Sequence, residues 1–338
     1  MSVCSARSPW EVYLDCFPSS LPIQEQLKFF LQYAILAPSS KNTQPWRFSV
    51  AGNTVSLFAD VTRGQPVADQ SGRELYISLG CALENLVVAA ELFGYGHEVS
   101  YFPHPGMKEL AATVAFHPGG TFSPYRTGIS LQNISDRRTQ HGRYESRCIP
   151  EDARRRLLSC CGGDLGLRVD LTDDSAVRSR VVEMNLHADE MEFADPNFRK
   201  ELGFWIGQGV FGTPRLLSWL GGHLLPHINV GRTVAMRNAE MLSSAPLIGL
   251  ISTRADNREM QVRTGQALER LWLHATALGF ALQPMSQVLE IASLRTELAQ
   301  VIPETGWIPQ QVFRLGYATG SPREHTPRRP VDEVLLGE

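Results

Sequence analysis

Two short basic segments carry side chains of the kind that bind phosphate groups in proteins. Residues 136–143 read DRRTQHGR and place guanidinium groups beside a hydroxyl at a chain turn, and residues 326–330 read TPRRP. Guanidinium groups bind phosphate oxygens in pairs, and a threonine hydroxyl adds a further donor. A solvated basic surface is the alternative. Neither segment has interleaved aromatic residues, which weakens an interpretation as a nucleic-acid site.

A polar loop offers a second kind of site. Residues 37–48 read APSSKNTQPWRF. The backbone N–H groups of this loop, together with the side chains of Ser39, Ser40 and Asn42, can converge on a flat ligand with polar edges. A helix-to-strand connection that is capped by serines is the alternative interpretation.

Regular elements are predicted on both sides of that loop. Apolar residues at helical spacing predict a helix over 23–36, and Pro38 should end it because the residue before a proline is disfavoured in the α region. Apolar and polar residues alternate over 46–50 and 54–60, which predicts a hairpin. The loop would therefore be held between a helix and a hairpin.

The chain contains an internal repeat. Residues 80–94 and 265–279 share the pattern G-x-A-L-E-x-L-x-x-x-A-x-x-x-G. Each copy has the apolar stripe of a helix and a glycine just past its end, where a left-handed cap is expected. Duplication explains the shared glycines better than chance does. The chain is therefore predicted to hold two α+β domains in tandem, over 1–135 and 136–338.

Composition and charge are those of an ordinary globular protein. The chain has 338 residues, of which 43% are hydrophobic and 20% charged, and a formal net charge of −3. That charge gives no overall attraction to nucleic acid or to a membrane, and we expect neither as a partner. Residues 1–16 lack the apolar run of a secretory signal. The six cysteines show no C-x-x-C spacing, so free thiols in a cytoplasmic setting are expected.

Four motifs, in order along the chain, resemble those of one family. They are A-P-S-S-x-N-x-Q-P-W-R-F, R-E-L-x-I-S-x-G-x-A-L-x-N-L, R-R-T-x-x-G and P-R-R-P-V-x-E-V. Together they resemble the nitroreductase superfamily, and within it the tandem, Acg-like branch of FMN-binding nitroreductase-related proteins. The resemblance implies a nitroreductase-like α+β fold with central mixed or antiparallel sheets flanked by helices. Ordinary members are homodimers, so the two fused copies would form an intramolecular pseudo-dimer.

The resemblance also assigns roles to particular residues, and these predict one composite FMN site between the two halves. The first half would hold the isoalloxazine ring and the second half the phosphate. The equivalent second site would be degenerate, since residues 6–9 match the phosphate pattern poorly, and His141 stands where the family has lysine or arginine. The implied FMN contacts are Pro38, Ser39, Ser40 and Asn42 along the ring, Arg137, Thr139, His141, Arg328 and Arg329 at the phosphate, and Pro284, Met285 and Ser286 near flavin N5 and O4.

The activity that the resemblance implies is that of an oxidoreductase. NAD(P)H would reduce FMN, and the reduced flavin would pass electrons to a small flat acceptor such as a nitroaromatic or a quinone. The flavin carries this chemistry, and no protein nucleophile or general base is evident, so no catalytic residue is assigned. An FMN storage or sequestering protein and a dedicated biosynthetic flavin dehydrogenase are the alternatives. The pseudo-dimer is expected to act as a monomer.

Two further motifs are weaker. Residues 207–212 read GQGVFG and match G-x-G-x-x-G, but no β-α-β pattern frames them, so a dinucleotide fingerprint is not predicted. His223 and His227 have helical spacing, yet Pro226 lies between them and no other ligand cluster is evident. No metal site is expected.

A glycine-rich and aromatic segment, 203–231, is predicted to be an insertion in the second half. It falls where Acg-like proteins carry an insertion over the flavin. Phe204, Trp205, Phe211 and Trp219 would then form a lid or a substrate wall. Local packing between the halves is the alternative.

Overall fold

Helices and strands alternate along the chain. The computed structural model describes residues 8–120, 122–163, 165–302, 304–320 and 324–337. The elements of the first half are α1 (Ile23–Ala34), β1 (Trp46–Ala51), β2 (Thr54–Ala59), α2 (Arg73–Leu92), β3 (Tyr95–Tyr101), β4 (Leu110–Pro118) and α3 (Leu131–Asp136). Those that follow are α4 (Glu151–Ser159), β5 (Arg168–Thr172), α5 (Ser175–Ala194), α6 (Pro196–Gly207), α7 (Arg215–Leu224), α8 (Gly231–Ser243), β6 (Leu247–Thr253), α9 (Arg258–Ala277), β7 (Ala281–Pro284), α10 (Gln287–Glu290), α11 (Ala292–Ala299), β8 (Ile308–Gly316) and α12 (Val331–Val334).

Two four-stranded sheets share one topology. The strand order is β1-β2-β4-β3 in the first sheet and β5-β6-β8-β7 in the second, and all the strand pairs are antiparallel. A parallel bridge between Phe48 and Leu335 adds the C-terminal segment to the edge of the first sheet. The predicted α+β class, with two equivalent sets of mixed or antiparallel strands flanked by helices, is confirmed. The domain boundary between residues 135 and 136 stays a prediction.

The two repeated helices pack against each other at the centre of the molecule. They meet at the first glycine of the repeat, since a Cβ on Gly80 would lie 1.9 Å from the carbonyl oxygen of Val262. A Cβ on Gly265 would lie 1.9 Å from the carbonyl oxygen of Ile77. Only glycine allows two helix backbones to approach this closely. The repeat that identified the duplication is therefore also the contact between its two copies.

The helix α2 is long and strongly apolar. By length and composition it is the one described helix that could cross a membrane, but 94% of that stretch is buried inside the protein. Burial of this kind is typical of the core helix of a globular fold.

Most local predictions agree with the structure to within a few residues. The helix before Pro38 ends at Ala34, slightly earlier than predicted, and the predicted hairpin is β1–β2. The expectation of free thiols holds for Cys81 and Cys148 and for the adjacent pair at 160 and 161. It is wrong at Cys16, which takes part in a disulfide, because sequence spacing does not show which sulfurs the fold brings together. Residues 4 and 6–7, which entered the sequence argument, lie outside the described residues.

The C-terminal segment returns to the first half of the chain. The backbone N–H of Leu336 donates to the carbonyl of Phe48 at 2.7 Å, and Val334 in α12 is fully buried. The backbone N–H of Arg329 donates to the side-chain oxygen of Gln44 at 2.7 Å. This return places the second basic segment beside the polar loop, although nearly three hundred residues separate them in sequence.

Candidate functional site

The polar loop after α1 has an unusual backbone. Lys41, Asn42 and Gln44 all have positive φ angles, of 47°, 55° and 52°. Such angles cost free energy in residues other than glycine and persist where the surroundings hold them. Here the Ser39 hydroxyl accepts a hydrogen bond from the Gln44 backbone at 2.9 Å. The strained turn fixes the direction of the Asn42 side chain.

Asn42 lies at the meeting point of three chain segments. Its side-chain nitrogen donates to the carbonyl of Val210 at 2.6 Å and to that of Pro327 at 3.0 Å. Its side-chain oxygen accepts from Nη1 of Arg328 at 2.8 Å. The side-chain amide of Asn42 thus joins the polar loop, segment 203–231 and the C-terminal segment.

Arg137 lies in the same place and is almost completely buried, with 2% exposure. Its Nε is 3.2 Å from Oε1 of Glu269, and its Nη2 donates to the carbonyl of Leu36 at 2.9 Å. Nη2 of Arg328 donates to that same carbonyl at 3.3 Å. Two guanidinium groups from opposite ends of the second half therefore converge at the end of α1.

The electrostatics of this pair favour an anion. Burial lowers the pKa of Arg328 well below its ordinary value, and the neighbouring charge of Arg137 lowers it further. Nε of Arg328 is buried and makes no hydrogen bond among the residues that the structure describes. A phosphate would satisfy this donor and would reduce the repulsion between the two cations. The donor set therefore fits the phosphate group of FMN.

Thr139 and His141 lie against β7. Thr139 pairs with Leu282 in an isolated parallel bridge, and Nδ1 of His141 lies at hydrogen-bond distance, 3.0 Å, from the side-chain nitrogen of Gln283. Arg314 supports this arrangement, because its Nε donates to the side-chain oxygen of Gln283 at 2.8 Å. These two predicted residues are therefore aligned with the strand that leads to Pro284.

The predicted segment 284–286 reaches the first half through α2. The Ser286 hydroxyl donates to Oε2 of Glu74 at 3.0 Å. One turn further along α2, the Ser78 hydroxyl accepts from the backbone N–H of Ser40 at 3.2 Å. Met285 is buried with 1% exposure. The polar loop and segment 284–286 therefore contact neighbouring turns of the same helix, α2.

The structure thus brings most of the predicted residues into connected groups. Their assignment as FMN contacts remains a prediction. The first group contains the loop, Arg137 and the C-terminal arginines, and the second contains Thr139, His141 and β7. The third links Ser286 to Ser40 through α2.

Glu74 was not predicted from the sequence, although it stands in the R-E-L motif at the start of α2. Its side chain is buried and lies 2.6 Å from Nη2 of Arg73. Burial raises the pKa of Glu74 to about 7, against the opposing effect of Arg73. An acidic residue in the first turn of a helix is ordinary and gave no signal. Only its contact with Ser286 distinguishes it.

Replacing Glu74 with glutamine should reduce the pH dependence of stability. The pKa is about 7 in the folded protein and 4.5 in the reference state, so the folded state binds the proton more tightly and stability falls as pH rises between these values. We expect the difference in unfolding free energy between pH 5 and pH 8 to shrink by on the order of 2 kcal/mol in the variant. Urea unfolding at both pH values measures it.

A matched control comes from the repeat. Glu259 occupies the same position at the start of α9, where its side chain is 44% exposed and lies 2.9 Å from Nη2 of Arg263. Glu259→Gln should leave the pH dependence unchanged. Equal behaviour of the two variants would show that burial of Glu74 does not set its proton affinity.

A cavity of about 500 Å³ is lined by Arg73, the residue before Glu74, but not by Glu74 itself. It is also lined by apolar and acidic residues of the second half, among them Leu289, Glu290 and Trp307. Behind Glu290 lies Glu192, whose pKa is raised well above its usual value by burial and by the charge of Glu290. The cavity therefore combines apolar walls with the carboxyl groups of Asp69 and Glu290.

On the other side of the pseudo-dimer, the position that corresponds to Glu269 is occupied by buried ion pairs. Glu84 occupies the position in the first repeat that Glu269 occupies in the second. Oε1 of Glu84 is 2.7 Å from Nε of Arg126 and 2.7 Å from Nε of Arg270. Arg270 stands where the first repeat has Asn85. Arginine side chains therefore fill this side of the central helices, which supports the prediction of a single complete site.

The predicted lid segment behaves differently along its length. Val210 contacts Asn42, and Trp205 is buried with the guanidinium of Arg63 5.4 Å from its ring. Phe204 and Trp219 are 56% and 55% exposed. These two side chains are exposed, and the prediction that they form a wall over the site stays a prediction.

The chain is similar in sequence to several known proteins. Residues 180–317 match the sequence model of the Nitroreductase family. A Mycobacterium tuberculosis protein provisionally named an NAD(P)H nitroreductase, Rv3131, is 29% identical over 335 residues, covering 93% of this chain and 92% of that protein. The similarly named acg of the same organism is 27% identical over 327 residues, with 94% and 97% covered. PigM of Serratia, named a probable NAD(P)H nitroreductase, is 24% identical, with 92% and 93% covered.

Similar solved structures are shorter chains. A nitroreductase from Desulfitobacterium hafniense with bound FMN aligns with 64% of this chain and 100% of its own, with 14% identity and a TM-score of 0.44. The FMN-dependent nitroreductase NfnB from Mycobacterium smegmatis, in complex with NADPH, aligns with 61% and 96%, with 16% identity and a TM-score of 0.43.

Proposed function

Because the chain belongs to the nitroreductase superfamily, we propose that it is an FMN-dependent oxidoreductase that uses NAD(P)H to reduce a flat acceptor such as a nitroaromatic or a quinone. The observation that carries the proposal is the meeting of Arg137, Arg328 and Asn42. They come from three distant parts of the chain, and Nε of Arg328 is buried there with no hydrogen-bond partner among the residues that the structure describes. Such a cluster of cations is costly unless an anion joins it.

Each predicted residue has a role in holding the cofactor. Arg137 and Arg328 would bind the phosphate, and the loop of Ser39, Ser40 and Asn42 would lie along the ring. The backbone of 284–286 would face its reactive edge. FMN supplies the hydride and electron chemistry when it is bound. The two halves, over 1–135 and 136–338, would each contribute one part of the site.

The chain itself can supply a proton and exclude water near the ring. The carboxyl of Glu74, with its pKa raised by burial to about 7, is protonated in part at neutral pH and touches Ser286. A group that titrates near the working pH is suited to proton transfer. We place the acceptor in the cavity of about 500 Å³ that Arg73 lines, one residue before Glu74. Its mixture of apolar walls and polar edges suits a flat molecule.

The test of the site is FMN affinity. We expect Arg328→Ala to raise the FMN dissociation constant roughly 10- to 100-fold, since a hydrogen bond to a charged group contributes about 1.5–3 kcal/mol. Apoprotein titrated with FMN, followed by flavin fluorescence, measures the constant. The dissociation constant of Arg328→Lys should lie between those of the unaltered protein and of Arg328→Ala, because lysine keeps the charge and loses the guanidinium fork.

The control for this titration is Arg155→Ala, which removes an exposed arginine of α4. Its affinity should equal that of the unaltered protein. Circular dichroism checks that each variant is folded. Unchanged FMN affinity in a folded Arg328→Ala protein would place the phosphate elsewhere, and a protein that never binds FMN would overturn the proposed function.

A second candidate function is FMN sequestration. The Asn42 amide is already joined to Val210 and Pro327, so segment 203–231 and the C-terminal segment both lie across the polar loop. This closure favours slow exchange of the flavin and of any acceptor. Anaerobic addition of NADPH or NADH separates the two functions. Bleaching of the flavin band supports the oxidoreductase, and a bound flavin that stays oxidised with both donors supports sequestration.

We also propose an oligomeric state and a cellular location. The two halves together would supply every part of the site, so the protein would act as a monomeric pseudo-dimer on a small molecule. A cytoplasmic location would give it access to NAD(P)H. The lid role of segment 203–231 remains part of this proposal, and the carbonyl of Val210, which accepts from Asn42, is its contact with the polar loop.

A further inference from the structure

The helix α7 is oriented with its small residues inward. Ser218 is its one buried residue, and Gly221 and Gly222 lie on the same face. A Cβ on Gly222 would lie 2.9 Å from the carbonyl oxygen of Gly203 in α6, and a Cβ on Gly203 would lie 2.9 Å from that of Gly222. The backbones of α6 and α7 therefore touch through glycines, as helices do in apolar surroundings.

The large apolar side chains of α7 consequently face outward. Helical geometry puts them opposite the buried glycines, and Phe204 of α6 lies beside them with 56% exposure. An amphipathic helix in a globular protein ordinarily buries this face. A group of large apolar side chains exposed on one face marks an interaction surface. The exposed residues of α7 are Leu216 (68%), Leu217 (58%), Trp219 (55%), Leu220 (37%) and Leu224 (53%).

The segment that contains this face carries formal charge of one sign. Residues 202–239 contain no aspartate or glutamate, although the whole chain carries a formal charge of −3. Arg215, Arg232 and Arg237 are exposed in this stretch, and His223 and His227 are exposed beside them. The surface that covers the apolar face should therefore be both apolar and negatively charged.

We propose that the outward face of α7 docks on an anionic lipid bilayer. Leucine and tryptophan side chains would enter the boundary between headgroups and acyl chains, and the arginines would contact lipid phosphates. Each arginine near an anionic surface adds to the binding. The helix would lie in the plane of the membrane. The net charge of the whole chain does not oppose this, because salt screens charges more than about 10 Å away.

A second copy of the chain is a poorer occupant of the same face. A two-fold interface brings each surface against its own copy. Arg215 of α7 would then lie near its own copy, and segment 202–239 has no carboxylate to pair with it. Like charges held together across an interface are unfavourable. The positive charge of segment 202–239 therefore favours an anionic lipid surface over a second copy of the chain.

Vesicle co-sedimentation of the whole protein tests this docking. We expect the protein to pellet with vesicles of phosphatidylcholine and phosphatidylglycerol, and to bind phosphatidylcholine alone more weakly. Added salt should weaken the first interaction. Leu216→Ser with Leu220→Ser should lower the partition coefficient roughly tenfold or more. Arg215→Glu should lower it for the anionic vesicles only.

Controls separate docking from loss of folding. The altered residues are exposed, so the variants should keep the thermal transition of the unaltered protein. Met107→Ser removes a side chain that is 54% exposed elsewhere and should not change vesicle binding. A blue shift of tryptophan emission on adding vesicles should disappear in Trp219→Phe. Failure to bind anionic vesicles, or equal binding by the double variant, would overturn the proposal, as would a dimer that the double variant abolishes.

Discussion

Replacing Gly80 with alanine should destabilise the protein by about 3 kcal/mol or more, because overpacking that moves a backbone is at the costly end of such substitutions. The added Cβ would lie 1.9 Å from the carbonyl oxygen of Val262 and 2.8 Å from Cα of Gly265. Both are backbone atoms, so no side chain can rotate to make room. The two central helices would have to separate. In a free helix the same change would be favourable by up to about 1 kcal/mol.

Urea unfolding followed by circular dichroism measures this effect. Gly265→Ala should behave alike, because its Cβ meets the carbonyl oxygen of Ile77 at the same distance. Gly106→Ala is the control, since nothing lies within 4 Å of its added Cβ. A Gly80→Ala protein as stable as the Gly106→Ala protein would mean that the helices do not cross where the repeat begins.

Any Gly80→Ala protein that remains folded should also bind FMN less well. The helix α2 carries Glu74, which contacts Ser286, and Ser78, which contacts Ser40. Separation of the central helices would displace these contacts. Stability and cofactor retention should therefore fall together at this position.

Replacing Glu84 with glutamine should cost about 3–5 kcal/mol, since removing one partner of a buried ion pair leaves uncompensated charge. Glu84 is fully buried and binds two arginines, Arg126 and Arg270, at 2.7 Å each. Burial alone would raise its pKa, but the two arginines hold the pKa of this carboxyl well below its usual range. Glutamine would remove the carboxylate that both guanidinium groups share, and Arg126 would keep only Glu91, 2.8 Å from its Nη1, among the ion pairs of the described residues.

The pH dependence of this effect has a defined sign. A carboxyl whose pKa is lowered by folding contributes stability above its unfolded pKa and loses it as pH falls through the folded value. The unaltered protein should therefore be destabilised by acid more steeply than Glu84→Gln. Urea unfolding between pH 3 and pH 7 compares the two slopes.

Glu269→Gln is the matched control, because Glu269 holds the same position in the second repeat. Burial raises the pKa of Glu269 to about 7, with Arg137 opposing. This carboxyl is protonated at pH 5, so glutamine should cost less there than it does at Glu84. Equal losses at the two positions would contradict the assignment of charge to Glu84.

The local part of the site could be predicted because it depends on neighbours in sequence. Pro38 ends α1 within a few residues of the prediction, and β1–β2 form the hairpin that the alternation indicated. The repeat predicted two copies of one fold, and the structure added that its two helices contact each other. The polar loop and the two basic segments were recognised by composition alone.

Other features could not be predicted, because they depend on which surfaces meet. Nothing near Glu74 in sequence indicates its contact with Ser286, and nothing near Arg126 indicates its pairing with Glu84. The aromatic residues of 203–231 suggested a wall over the site, and only the fold shows that Phe204 and Trp219 are exposed. The disulfide of Cys16 was missed for the same reason.

By itself, the sequence determined the helices, the strands, the duplication and the inventory of phosphate-binding and ring-facing side chains. These follow from hydrophobic periodicity, proline and glycine placement and residue chemistry, which act over a few neighbours. Only the tertiary structure decided that Arg328 returns to Asn42, that arginines fill the second position, and that α7 turns its apolar face to solvent. Such choices depend on the free energy of burying one surface against another, and residues far apart in the chain contribute to it together.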